Sequence, residues 1–134
     1  MELNTLNKRI IIDGNSFFDL NGFYEEVSAK LMINQDWKVG TLDGLNDILY
    51  GVPEAFSSNK KVDIIWENSE KSRKDLGFET TLQFLEKKLK IGKPFNLTLI
   101  SKQKEDLLSG NGQTLFEIIV EIFSEHRNIK LILE

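Results

Sequence analysis

Two pairs of carboxylates in this chain have helical spacing. Asp43 and Asp47 stand one turn apart, and so do Glu121 and Glu125. Like charges at i and i+4 cost an isolated helix about a few tenths of a kcal/mol. Neither pair is relieved at the next turn, because positions 39, 40, 50, 51, 117 and 118 carry no Lys or Arg. A local cost without a local compensation is where function is expected. Such acids have two chemistries open to them. They can stand in for phosphate and take charge-assisted hydrogen bonds from the Arg and Lys of a cationic partner. If all four converged they could instead hold Mg²⁺, as in a small metal-dependent enzyme. Asp43 also has a purely structural use, since negative charge is favourable near a helix N-terminus.

Composition narrows these options. The chain has 134 residues, 17 basic and 21 acidic side chains, a net charge of −4, no Cys and one His. This length suits one domain with a real core. Without Cys there are no disulfides, zinc knuckles or thiol nucleophiles. A single His removes His-based metal clusters, and the net charge removes a whole-protein footprint for nucleic acid. Charge is segregated along the chain. Residues 16–58 carry 7 acidic against 2 basic side chains, residues 59–104 carry 11 basic against 6 acidic, and residues 105–134 carry 6 acidic against 2 basic. The basic run Lys87, Lys88, Lys90, Lys93, Lys102 and Lys104 has no aromatic ladder for stacking bases, so it reads as a solvated face. The start, Met1 to Asn7, lacks the basic and apolar regions of a signal peptide. Apolar runs reach only three residues, far short of a membrane span. A cytoplasmic protein with no membrane contact is the expectation.

The elements that must position the acids follow from periodicity. Ile10-Ile11-Ile12 reads as a buried strand, closed by Asp13-Gly14-Asn15. Ser16 is the expected N-cap of a first helix of about 15 residues bearing Leu20, Phe23, Tyr24, Val27 and Leu31. Thr41 caps a second helix, with Gly51 at its C-terminal turn and Pro53 as its stop. Leu42, Leu45, Ile48 and Leu49 are its buried stripe, while Asp43, Asp47 and Tyr50 share another face. Val62 to Trp66 reads as a second strand, with Trp66 in the core. Asn68 opens a short polar helix ending at Gly77. Phe78, Leu82, Leu85 and Leu89 mark a further helix closed by Gly92 and Pro94, and one more is expected around Lys102 to Leu108. Thr114 and Glu117 form a capping box for the last helix, whose stripe is Leu115, Ile118, Ile119, Ile122 and Phe123. His126 at its end reads as an exposed or dipole-contacting residue. Ile129 to Leu133 is a terminal strand. Strands separated by helices give an α/β fold with a small, three-stranded, mainly parallel sheet covered by four to five helices. Gly110-Asn111-Gly112-Gln113-Thr114 lacks a Lys and a preceding strand, so it is not a phosphate-binding loop.

The stretch Thr41-Leu42-Asp43-Gly44-Leu45-Asn46-Asp47-Ile48-Leu49-Tyr50-Gly51 resembles the inhibitory helix of the barstar family, intracellular inhibitors of the ribonuclease barnase. The family pattern there is Asn-Leu-Asp-Ala-Leu-Trp-Asp-Ala-Leu-Thr-Gly. The opening Ile-Ile-Asp-Gly, the Val-x-Ile-Ile-Trp strand and the ending Asn-Ile-x-Leu-Ile-Leu are similar too. The resemblance implies one barstar-like domain over 1–134, with a longer loop at Val52 to Lys61 and an insertion at about 77–110. It implies an inhibitor or immunity protein in a 1:1 complex with a basic ribonuclease or nuclease toxin, as a monomer without catalytic residues, cofactor or metal. By this resemblance Asp47 enters the nuclease active site and Asp43 pairs with nuclease cations. Glu125 and Glu121 make and support charge contacts, and Trp37 covers the base-binding site. Lys38, Asn46, Tyr50 and Gly51 complete the implied interface. Asn46 stands where the pattern has Trp, Lys38 where it has a second Tyr, and Tyr50 where it has Thr.

Overall fold

The protein is described, as a computed structural model, for residues 8–33, 35, 37–52 and 61–134. The segment Met1 to Asn7, Pro53 and most of the Val52 to Lys61 loop lie outside the described residues. The chain runs β1 (Lys8–Asp13), α1 (Leu20–Leu31), α2 (Leu42–Leu49), β2 (Val62–Glu67), α3 (Ser69–Asp75), α4 (Phe78–Ile91), α5 (Leu97–Leu108), α6 (Leu115–Ser124) and β3 (Ile129–Leu133). The three strands form one sheet in the order β1-β2-β3, with both pairings parallel. This is the expected α/β architecture, with six helices among the described residues where four to five were expected.

The central strand β2 is apolar because it is flanked on both edges. Val62, Ile64, Ile65 and Trp66 are all buried. On the edge strand β1, by contrast, Ile10 and Ile12 are buried while Ile11 is 42% exposed. The expectation of a fully buried Ile10-Ile11-Ile12 strand is thus corrected to a one-sided one, since side chains alternate across a strand. The main core holds Ile10, Ile12, Val62, Ile64, Trp66 and Ile129 of the sheet together with residues of α1, α2 and α6. Trp66 is at its centre. Its ring centroid lies 5.3 Å from that of Phe23 and 5.0 Å from that of Phe116, with Phe17 and Phe123 both at 6.4 Å. Its Nε1–H donates to Ser72 Oγ at 2.9 Å.

The start of the first helix differs from its sequence reading. Gly14–Ser16 form a single 3₁₀ turn, and Asp19, not Ser16, caps α1 by accepting from the Gly22 N–H at 2.8 Å. Ser16 is occupied elsewhere, with its hydroxyl donating to Asp13 Oδ2. Between them Phe17 is extended and 3% exposed, so burial of its ring interrupts what would otherwise be a continuous helix. Gly14 permits the close approach of this turn to the end of β2 and the start of α3. A Cβ there would lie 2.7 Å from the carbonyl oxygens of Glu67 and Asn68 and 2.7 Å from Ser72 Oγ. Gly14→Ala is therefore expected to cost about 1–3 kcal/mol, as overpacking against rigid backbone does. The expected readout is a lower urea midpoint at unchanged slope. A midpoint equal to that of wild type would show that this approach is not tight.

Helices α4 and α5 form a pair with a core of its own. Leu85, Ile100 and Leu107 cluster with Leu82, Phe84, Leu89 and Phe95 between α4 and α5. Phe84 packs against both this cluster and the main core. Thr81, buried on α4, accepts the Leu115 N–H at 2.7 Å and donates to the Gly77 carbonyl at 2.7 Å. Helix α5 starts at Leu97, capped by Asn96, earlier than the expected Lys102.

Candidate partner-binding surface

Helix α2 forms as its sequence dictates. Thr41 is extended at φ −147° and its hydroxyl accepts the Gly44 N–H at 2.8 Å, which satisfies an amide that has no partner within the helix. Leu45 and Leu49 are fully buried and Leu42 and Ile48 partly so, with α2 packed on α6. The opposite side carries Asp43, Asp47 and Tyr50, all exposed, Tyr50 at 72%. Gly51 does not take the left-handed backbone expected of a helix-ending glycine. Its N–H donates to the Ile48 carbonyl at 3.0 Å, and helical backbone recurs at Val52.

The strap leading into α2 is pinned at one residue. Val39 is buried and its N–H donates to Ser28 Oγ of α1 at 2.9 Å. Beside it, Lys38 is exposed and Trp37 is half exposed. The Trp37 indole lies on the first turn of α2, where a Cβ on Gly44 would come within 3.2 Å of its Cη2. The structure thus brings Trp37 onto the helix that carries Asp43 and Asp47. The pKa of the Tyr24 phenol, buried on α1 near the Asp43 carboxylate, is pushed up to about 12, first by loss of solvent and then by that negative charge.

Helix α6 carries the second acidic pair. Its N-terminus is closed by the expected capping box, with Thr114 Oγ1 accepting the Glu117 N–H and Glu117 Oε1 accepting the Thr114 N–H at 2.9 Å. Glu121 lies in its last turn and Glu125 is its C-terminal cap residue, and both are exposed. Negative charge at this end opposes the helix dipole. Asp47 repeats the arrangement in the last turn of α2, and neither helix has a basic residue in its last turn. None of these four acids forms an ion pair with another described residue. Elsewhere Glu26, Glu70, Asp75, Glu86 and Asp106 each meet a Lys or Arg within 3.2 Å.

The junction of the two helices corrects the sequence reading of His126. It is 8% exposed, not a surface residue. Its Nε2 lies 2.7 Å from Asn46 Oδ1, and its ring meets that of Tyr50 edge-on, with centroids 4.6 Å apart. Asn46 is half-buried in this contact rather than exposed beside Asp43 and Asp47. Sequence periodicity had no means of finding a pair 80 residues apart. Burial lowers the His126 pKa below its ordinary value, against the opposing pull of the Glu125 carboxylate, while the α2 side contributes Tyr50 and the neutral Asn46. The folded protein then binds the His proton less well than the unfolded chain does. Stability is full above about pH 6.5 and falls as pH drops through that value towards the lower folded pKa. Thermal unfolding at pH 7.5 and 5.5 is expected to show a larger loss in wild type than in His126→Gln. Equal losses would remove the His from the effect.

On the other side of α2 a groove of ≈ 620 Å³ separates Thr41 to Asp43 and Tyr24 from Phe84, Lys87 and Lys88 of α4. Lys88 Nζ sits 4.2 Å from the Phe84 ring centroid. Lys102 and Lys104 pair with Asp106 and Glu86, so part of the basic run is neutralised within its own helical pair. Among the described residues no group of three or more His, Asp or Glu stands close enough to hold a metal ion, and no helix is long and apolar enough to cross a membrane. Comparison of the chain with protein-family models, with curated proteins and with solved structures gives no match.

Proposed function

We propose that this protein inhibits a basic ribonuclease or nuclease toxin, as a barstar-like immunity protein of the cytoplasm. Helix α2 and the strap before it plug the cationic active site, and the end of α6 lies alongside. The observation that carries this reading is the exposed state of Asp43, Asp47, Glu121 and Glu125 on two packed helices, with no ion pair among the described residues, while Glu26, Glu70, Asp75, Glu86 and Asp106 are each paired. Three of the four sit in or just after a last helical turn, where they cost stability. Exposed Trp37 and Tyr50 flank them, and aromatic residues are enriched where interfaces carry their energy.

A ribonuclease must hold phosphate, so its active site is cationic. Carboxylates on a preformed helix occupy such a site with charge-assisted hydrogen bonds and meet it faster because the fields are opposed. Barnase and barstar themselves associate under steering of this kind. A divalent cation held by the same acids would need them to converge, and no observation favours that use.

The test is inhibition of RNA cleavage by a panel of basic ribonucleases, barnase first, with stoichiometric protein. Inhibition that weakens with added salt is expected for at least one enzyme. Binding to a protein without loss of cleavage would replace inhibition by a scaffold role. Mg²⁺-dependent cleavage of RNA by the protein alone would overturn the reading outright.

A further inference from the structure

We propose that His126 is a positioning residue that locks α2 to the end of α6 and so holds Asp47 and Glu125 as one surface. This deepens the inhibitor reading and rests on it for its functional meaning. Helix α2 has 8 residues, too few to be stable without tertiary contacts. Burial of Leu45 and Leu49 sets how deep the helix lies. The stripe of Leu42, Leu45, Ile48 and Leu49 sets which side faces the core, but apolar attraction is non-directional and holds the rotation less closely than a hydrogen bond does. The imidazole supplies direction. It meets Asn46 through a hydrogen bond of 2.7 Å and Tyr50 through an edge-on ring contact of 4.6 Å. These two residues are one turn apart, so both grips fall on the same side of α2. Asp47 follows Asn46 directly, and Glu125 directly precedes His126. Rotation of α2 that carried Asp47 away would break the Asn46 bond. With Asn46 Oδ1 as acceptor, the neutral ring held here carries its proton on Nε2.

Amide hydrogen exchange at pH 7.5 on the protein alone tests this. In His126→Ala, α2 amides are expected to exchange about tenfold faster, the scale of one lost hydrogen bond, while β2 and α1 keep wild-type protection. His126→Gln, whose side-chain amide can donate to Asn46, is expected to restore most of the protection in α2. Unchanged α2 protection in His126→Ala would overturn the lock. So would an equal increase in every element, because that marks a residue needed for folding in general. If His126→Ala does not fold, Asn46→Ala carries the same expectation from the other side. There the imidazole nitrogen resonances should also lose the pure Nε2–H pattern, and an unaltered pattern would overturn the assignment. No nuclease enters these measurements. Their failure removes the lock alone, and a failure to inhibit any ribonuclease removes the binding reading alone.

Discussion

Asp47→Ala is expected to raise the inhibition constant for the target ribonuclease by about thirtyfold or more, from the roughly 2–5 kcal/mol that truncating one partner of a buried charge pair costs. No other single substitution on this surface should cost as much. Asp47 lies between Asp43 and Tyr50 on the exposed side of α2, with no ion-pair partner among the described residues. Its carboxylate is hydrated in the free protein. In the complex it would lose that water and meet desolvated Arg or Lys, and its removal would leave those cations buried without a partner. Glu121, one turn back on α6, should behave as a rim charge, with a smaller effect that shows mainly in association rate and salt dependence. Stability should move the other way. Asp47 opposes the dipole at the end of α2 and repels Asp43, so Asp47→Ala is expected to melt at or slightly above the wild-type temperature. Inhibition at wild-type strength by Asp47→Ala would sink the assignment of α2 as the plug.

Trp66→Ala should have the largest effect on the fold, about 3–5 kcal/mol, as deletion of a fully buried aromatic does. A domain of this kind is stable by roughly 5–15 kcal/mol in total, so much of the margin would go. Trp66 is 0% exposed and is ringed by Phe17, Phe23, Phe116 and Phe123. These come from the turn before α1, from α1 itself and from α6, so one cavity loosens three elements. Trp66→Phe keeps a ring but drops the Nε1–H bond to buried Ser72 Oγ, and it should fall between the two. Urea unfolding followed by circular dichroism reads the order wild type, Trp66→Phe, Trp66→Ala. A Trp66→Ala midpoint close to that of wild type would show that the cluster repacks around the gap.

What the sequence made legible was local or periodic. The caps at Thr41 and Thr114 rest on residues three apart, and both occur as read. The separation of Leu45 and Leu49 from Asp43, Asp47 and Tyr50 needs only 3.6 residues per turn. The α1 cap was expected at Ser16, with Asp19 only three residues into the helix. Burial of Phe17, a tertiary event, moved the cap on to Asp19. Ile11 looked like its neighbours because three apolar residues in a row do not say whether a strand is central or at an edge. His126 was the largest miss. It contacts Asn46 and Tyr50 of α2, both departures from the resembled motif, which the sequence alone placed only in the implied interface. Together they account for where the imidazole goes.

The separate core of α4 and α5 gives the molecule two scales of opening. Regions with few contacts to the rest unfold on their own at lower free energy than the whole. The helical pair can come away at Phe84 and Thr81 while Trp66 and its rings stay closed. A partner resting only on α2 and α6 would leave that local opening unchanged. One that also entered the groove between α2 and α4 would hold both walls shut and slow it. The amides of α4 are therefore a built-in gauge of how far across this protein a bound partner reaches.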